Sequence, residues 1–390
     1  MLPTLLFLLA CGSPPPPQKP PDACEVMATP APGPLEPDRK KAGNDALKLA
    51  RVRVREARLS GDPGFYTLAE TALDCALLRS PADIEARRLK VHLLIQFHRF
   101  AEAETAARAL ESGPVADANF LDYALLGDAL MEQGKLDAAG DAYQTAVNIR
   151  PGLEMYDRIA WLRWLWGDVD GALAMQQLAV DAGSRSDPEP LAWVLTRMGW
   201  LHALTGKPAP EIDEALALLP DYPAARFARG RTRLASGDLA GAMADFKAVG
   251  PTVEATRARA EAGDPTANVD AVGAQDPRGY AIWLATRADP GGRSRSVSLL
   301  SDELKNRQDA VTRMALAYAR FTTAGPAQDA EVNAILATGI VEPRALLQAG
   351  LVLRQSSPAA AKTLLDRALK SGPGLLPSEQ AQARASQAAP

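Results

Sequence analysis

Residues 120–151 read FLDYALLGDALMEQGKLDAAGDAYQTAVNIRP. Small residues stand at Gly127, Gly134, Ala139 and Ala146, a ring at Tyr143 and a proline at Pro151. Small residues at helical spacing mark where two helices come close, and a proline marks where the second must stop. Working outward from this stretch, the same offsets return. Gly230, Gly237, Ala242 and Phe246 form a second copy, and Gly167, Ala172 and Ala179 each follow their counterparts Gly134, Ala139 and Ala146 by 33 positions. Upstream, Ala57, Gly64, Ala69, Ala76 and Pro81 keep the same phase, and Ala103 marks another early copy. Downstream, Gly199 and Gly206 keep it too, but only nine positions separate Gly206 from Ala215 where twelve are expected. Pro208 and Pro210 crowd the start of that second helix, which is therefore predicted to be short.

After Pro251 the pattern weakens. Gly263, Pro265, Gly273 and Pro277 punctuate a stretch with little apolar periodicity, so a linker is expected over 263–276. A last copy follows at Gly350, Ala361, Ala368 and Pro373, one residue short, with Leu351, Leu353, Leu364, Leu365 and Leu369 as its apolar stripe. The tail 377–390 is polar and rich in Ala and Gln, and is expected to fray.

This register resembles the tetratricopeptide repeat family, a helix–turn–helix of about 34 residues. The resemblance covers roughly 43–250 well, within an N-terminal array expected over 43–262, and 277–376 poorly. It implies an all-α solenoid of about seven or eight helix pairs, stacked because one pair cannot bury its apolar face alone. In that family helix-A positions 2, 5, 9, 12 and 13 line the inner groove, where a peptide or protein segment binds.

Composition agrees with a helical chain. Of the 390 residues 47% are hydrophobic but only 5% aromatic, so the apolar mass is mostly Ala, Leu and Val. A net charge of −4 argues against a phosphate-binding face, and no nucleic-acid partner is expected.

The N-terminus carries a separate signal. Leu2 to Ala10 is apolar apart from Thr4 and ends in Leu8-Leu9-Ala10-Cys11. It is too short to span a bilayer, which needs about 17–25 apolar residues. It resembles the lipobox of bacterial lipoproteins, which implies that 1–10 is a signal peptide and that Cys11 is lipidated. The Pro-rich stretch that follows, within 11–42, would be a semi-rigid tether. The resemblance implies a lipid anchor on the periplasmic side of the envelope. Gly12, rather than Asp, favours the outer membrane. The alternative is a soluble cytosolic module without lipidation. Of the other two cysteines, Cys24 falls in the tether and Cys75 in a helix. Nothing in the sequence pairs them, so each is expected free, or Cys24 bonded to another chain.

No catalytic constellation is present. His92, His98 and His202 are the only histidines, none at metal-ligand spacing, and no phosphate loop or nucleophile elbow occurs. No enzyme activity, metal or cofactor is expected. The Gly-Asp pairs at 127–128, 167–168 and 237–238 follow from the register, with the latter two aspartates placed to cap helices. The more informative anomaly is tryptophan. Trp161 and Trp164 fall at positions 9 and 12 of one repeat, Trp193 and Trp200 at positions 2 and 9 of the next. These four are expected to face one concavity, flanked by Asp128, Asp157, Phe227 and Arg231. Either they form a cleft for a partner segment, or they fill the space left by the short helix after Gly206.

Overall fold

The fold was taken from a computed structural model, which describes residues 24, 32–111, 119–287, 289–325 and 327–388. Cys11, the segment 1–10 and most of the tether lie outside the described residues. Among the described residues the secondary structure is wholly helical.

A short helix, α1 (Glu36–Ala42), leads into antiparallel pairs. Pair 1 is α2 (Ala46–Ser60) and α3 (Gly64–Arg79), and pair 2 is α4 (Ile84–Gln96) and α5 (Phe100–Glu111). Pair 3 is α6 (Phe120–Glu132) and α7 (Leu136–Ile149), and pair 4 is α8 (Leu153–Leu165) and α9 (Val169–Asp181). Pair 5 is α10 (Pro188–Leu204) and α11 (Pro210–Leu218), and pair 6 is α12 (Pro223–Ser236) and α13 (Leu239–Lys247). Pair 7 is irregular: α14 (Val253–Glu261) is followed by one turn, α15 (Val269–Val272). Pairs 8 to 10 are α16 (Pro277–Ala285) with α17 (Pro290–Glu303), α18 (Ala310–Ala324) with α19 (Asp329–Leu336), and α20 (Pro343–Leu353) with α21 (Pro358–Lys370). A last helix, α22 (Pro377–Ala388), closes the array. The described residues hold ten pairs, one of them irregular, against the seven or eight expected, because the pairs after Pro251 keep the architecture while losing the small-residue signature.

The repeat's glycines work as helix–helix contacts. A methyl group on Gly127 would collide with the ring of Tyr143, which is fully buried. On Gly230 it would lie 2.5 Å from the ring of Phe246. Tyr143 therefore packs across its own pair, rather than between repeats. In pair 5 the partner of Gly199 is Ile212, and in pair 10 the partner of Gly350 is Leu365. These two come three and one positions early, as the shortened second helices require. Asp168 and Asp238 cap α9 and α13, accepting from Gly171 and Gly241 N–H. Between pairs, polar contacts recur at the repeat's own offset. Arg88 donates two hydrogen bonds to Asp122, 34 positions on, at 2.7 and 2.8 Å.

Three expectations are corrected. The segment 263–276 is no bare linker, since Val269 and Val272 are buried with Val253, Tyr280 and Leu284. Over 377–388 the tail is helical and docked rather than frayed. α22 docks through Glu379, which is 4% exposed and bonded to Arg257 and Arg344. Its sequence is polar because its grip is ionic. Finally, Cys24 and Cys75 form a disulfide across 51 positions. Cys24 packs beside Ala46 and Ala76, against pair 1.

The solenoid also comes round on itself. The turn inside pair 1 meets the loop after pair 6, where Gly250 lies near the Gly61 carbonyl oxygen. The turn of pair 2 meets the start of pairs 8 and 9, with Arg307 4.9 Å over the ring of Phe100. A methyl on Gly134, in pair 3, would stand 2.5 Å from the Gln308 carbonyl oxygen, and one on Gly167, in pair 4, would collide with that of Gly339. In pair 5, Gly206 faces the Lys370 carbonyl. Gly61, Gly134, Gly167 and Gly206 have φ between 71° and 79°, a conformation glycine adopts at little cost. Here the missing side chain serves twice, in the turn and against the returning chain. Gly237, in pair 6, has φ 85°, and a methyl there would meet nothing within 4 Å.

Candidate functional site

The residues expected in the groove separate into three groups. Asp128 and Trp164 belong to the packing. Asp128 accepts from Tyr143 Oη at 2.7 Å and pairs with Arg158 through bonds of 2.9 and 3.0 Å. Trp164 is 4% exposed, among Ala172 and Leu201, with Val341 against it. Position 12 would face the concavity in an open array. Here the returning loop after pair 9 covers it.

The second group is covered by the chain's own C-terminal segment. The Arg231 guanidinium carbon lies 5.9 Å from the Trp200 ring centroid, and its Nη2 donates to the Pro373 carbonyl at 2.6 Å. Phe227 packs near Phe246 and the buried Leu376. Around them sits a buried ionic network. Arg344 bonds Glu254 at 3.1 Å and Glu379 at 2.7 Å, and Arg257 bonds Glu379 at 2.8 Å. Burial pulls the Glu379 carboxyl upward, but Arg344 and Arg257 outweigh it and hold the group down to about 2. Glu254 is likewise held well below the carboxylate range against its burial, by Arg344, Arg257 and Arg231. Burial lowers Arg231 to about 10.

The third group is open. Trp161 is half-buried and Trp193 is 39% exposed. Between them lies Arg197, its guanidinium carbon 4.8 Å from the Trp161 ring centroid and 5.5 Å from that of Trp193. Such stacking is favourable by about 0.5–2 kcal/mol. Asp157 anchors the cluster: it accepts from Trp193 Nε1 at 3.1 Å and Gln176 Nε2 at 3.1 Å, and sits 2.8 Å from Arg197 Nε. Gln176, fully buried, also donates to the Val194 carbonyl, which fixes the Asp157 side. The sequence reading missed Arg197 and Gln176. Arg197 stands one repeat after Arg158, with five intervening residues from the long α10, and both reach back to the preceding pair. That shared reach was the available signal.

The histidines lie apart from this site. Burial, with Arg58 nearby, pushes His92 down to about 4, and its Nε2 is buried without a partner. His98 stacks on Phe100 in the turn of pair 2. Among the described residues no group of His, Cys, Asp and Glu could hold a metal ion, and no helix is long and apolar enough to cross a membrane.

Stacked helix pairs with glycine–ring contacts at a fixed offset define an α-solenoid of helix–turn–helix repeats. A tetratricopeptide repeat model matches residues 123–152, the stretch where that contact is closest, so the chain carries a tetratricopeptide repeat there. Its fold is that of a protein-interaction scaffold. No curated protein matches the chain by sequence. Among solved structures it is similar to a tetratricopeptide repeat protein from Parabacteroides merdae, at 16% identity over 78% of this chain and 98% of that one, with a TM-score of 0.27. It is similar to yeast Tom70 at 10% identity over 90% and 93% of the two chains, with a TM-score of 0.39. The tetratricopeptide domain of P58(IPK) aligns at 12% identity over 87% and 99%, with a TM-score of 0.24.

Proposed function

We propose that this protein is a non-enzymatic scaffold of the bacterial envelope, lipid-anchored through Cys11 on the periplasmic side, outer membrane in preference to inner. It grips a segment of a protein partner at Trp161, Trp193, Asp157 and Arg197. The observation that carries the binding part is the contrast in cover. The inner face is closed by the returning chain at Trp164 and Arg231, each 4% exposed, while Trp193 is 39% exposed and Trp161 and Arg197 are half-buried. Large rings beside a fixed arginine are the side chains most enriched at binding hot spots. A disulfide joining Cys24 to Cys75 favours an oxidising compartment over the cytosol.

Partner recovery from membranes of the native host tests the binding part. A Trp161→Ala/Trp193→Ala protein should retain its fold and lose the partner. Recovery of the same partner by the double variant would refute this face as the site. The anchor is tested by acyl labelling. Label should attach to the native protein and vanish in Cys11→Ser, and an unmodified Cys11 in the native host would refute it.

A further inference from the structure

Trp161 and Trp200 hold the same position in pairs 4 and 5, and each lies against an arginine of the next pair, Arg197 and Arg231. In the second case the site is filled. The one-turn 3-10 segment Gly372–Gly374 lies over it, the Pro373 carbonyl accepts from Arg231 Nη2 at 2.6 Å, and Leu376 is buried among Leu234, Phe246 and Ala258 with Phe227 beside it. In the first case no such segment of the described chain lies over the arginine: Trp193 is 39% exposed, and Trp161 and Arg197 are half-buried. Arg197 has Asp157 at its Nε edge, while its Nη nitrogens meet no acceptor among the described residues. The guanidinium is held in place by two rings and a carboxylate that is itself bonded to Trp193 and Gln176, so little ordering cost remains for a ligand.

The chemistry of this opening is one-sided. It offers N–H donors and ring faces. Its one carboxylate, Asp157, already serves Trp193, Gln176 and Arg197. A segment with few N–H groups leaves nothing unpaired here, and proline has none. An additional carboxylate gains less, because Asp157 already balances the charge of Arg197 at 2.8 Å. We propose that the site takes a proline-containing segment of a partner protein, turned once as Gly372–Gly374 is and seated as 372–376 is seated one pair further on. A main-chain carbonyl at a proline accepts from the Nη edge of Arg197, and an apolar side chain about three residues later covers Trp193. The φ angle that proline fixes in advance keeps the entropic cost low.

This deepens the scaffold reading above and rests on it. The test uses the whole chain and a synthetic peptide of residues 371–377, Ser-Gly-Pro-Gly-Leu-Leu-Pro, titrated by tryptophan fluorescence and calorimetry. A second peptide carries glutamate in place of both prolines. The expected result is saturable binding of the proline peptide, weakened about tenfold or more in Arg197→Met and in Trp193→Ala, with unchanged melting temperatures. Binding that is equal in Arg197→Met would overturn the proposal, because the peptide would then sit elsewhere, for instance by exchanging with the chain's own 371–377. Absence of saturation at millimolar peptide would overturn it, as would an Arg197-dependent preference for the glutamate peptide. If the proline peptide fails while the Trp161→Ala/Trp193→Ala protein loses its partner, this inference falls and the scaffold reading stands. If that double variant keeps its partner, both fall.

Discussion

The two tryptophan–arginine sites differ in what covers them. At Trp200 the arginine is spent on the chain's own backbone, and a rim of buried ion pairs locks the covering segment down. At Trp161 the arginine meets Asp157 and two rings, and no backbone carbonyl of the returning chain bonds it among the described residues. The lesson is that a residue's position within its repeat selects the helix face, while the closure of the superhelix selects whether that face stays available. Trp164 and Trp193 make the same point within neighbouring pairs, one sealed beneath Val341 and the other at the surface.

The comparison can be broken most directly at the lock. Glu379→Ala strips the shared partner from two arginines in a buried setting and should cost about 3–5 kcal/mol. Chemical denaturation measures it, and the fluorescence of Trp200 should report new exposure. A variant as stable as the wild type would mean that apolar contacts at Leu376 alone hold the segment. Next, Trp164→Ala should destabilise by about 3–5 kcal/mol, whereas Trp193→Ala should stay within about 0.5 kcal/mol. Similar losses at both would erase the distinction between sealed and open rings. A third contrast extends it to the turns. Gly237→Ala should cost about 1–2 kcal/mol for its left-handed backbone alone. Gly167→Ala should cost clearly more, because its methyl also meets the Gly339 carbonyl. Equal penalties in urea melts would show that the returning chain does not press there.

The smallest and most gradual effect is that of pH. Glu379 and Glu254 have depressed carboxyl pKa values in the folded state. Their contribution is therefore complete above the ordinary value near 4.5 and is lost as pH falls toward about 2. Glu342, which burial pushes up, acts with the opposite sign and flattens the upper part of that slope. Stability measured between pH 5 and 2 should fall less steeply in Glu379→Gln than in the wild type; parallel curves would remove the ionic lock from the account.

The repeat phase was legible because it is local. Gly127 opposite Tyr143 and the shortened partner Ile212 follow from spacing along one or two helices. The pairing of Asp157 with Trp193 needs only the neighbouring repeat. What the phase could not show is contact between chain segments far apart in sequence. Arg231 with Pro373 is 142 positions apart, and Arg344 with Glu254 is 90. The tail reads as polar because Glu379 supplies charge where apolar residues were expected, and Cys24 reads as unpaired because its partner lies beyond a proline-rich stretch. Trp164 was misplaced for the same reason, since its position in the repeat says nothing of Val341.

The stacked glycine turns have a consequence for how such an array can change over time. An open solenoid can gain or lose a repeat at little cost, since each unit touches only its neighbours. Here Gly134 fits under Gln308 and Gly167 under Gly339. Deleting one pair between them would slide every later loop past its glycine and set side chains against carbonyl oxygens along the whole line. The copy number is thereby fixed like the tooth count of meshed gears, and duplication, the usual route by which repeat proteins diversify, is closed to this chain except at its far end.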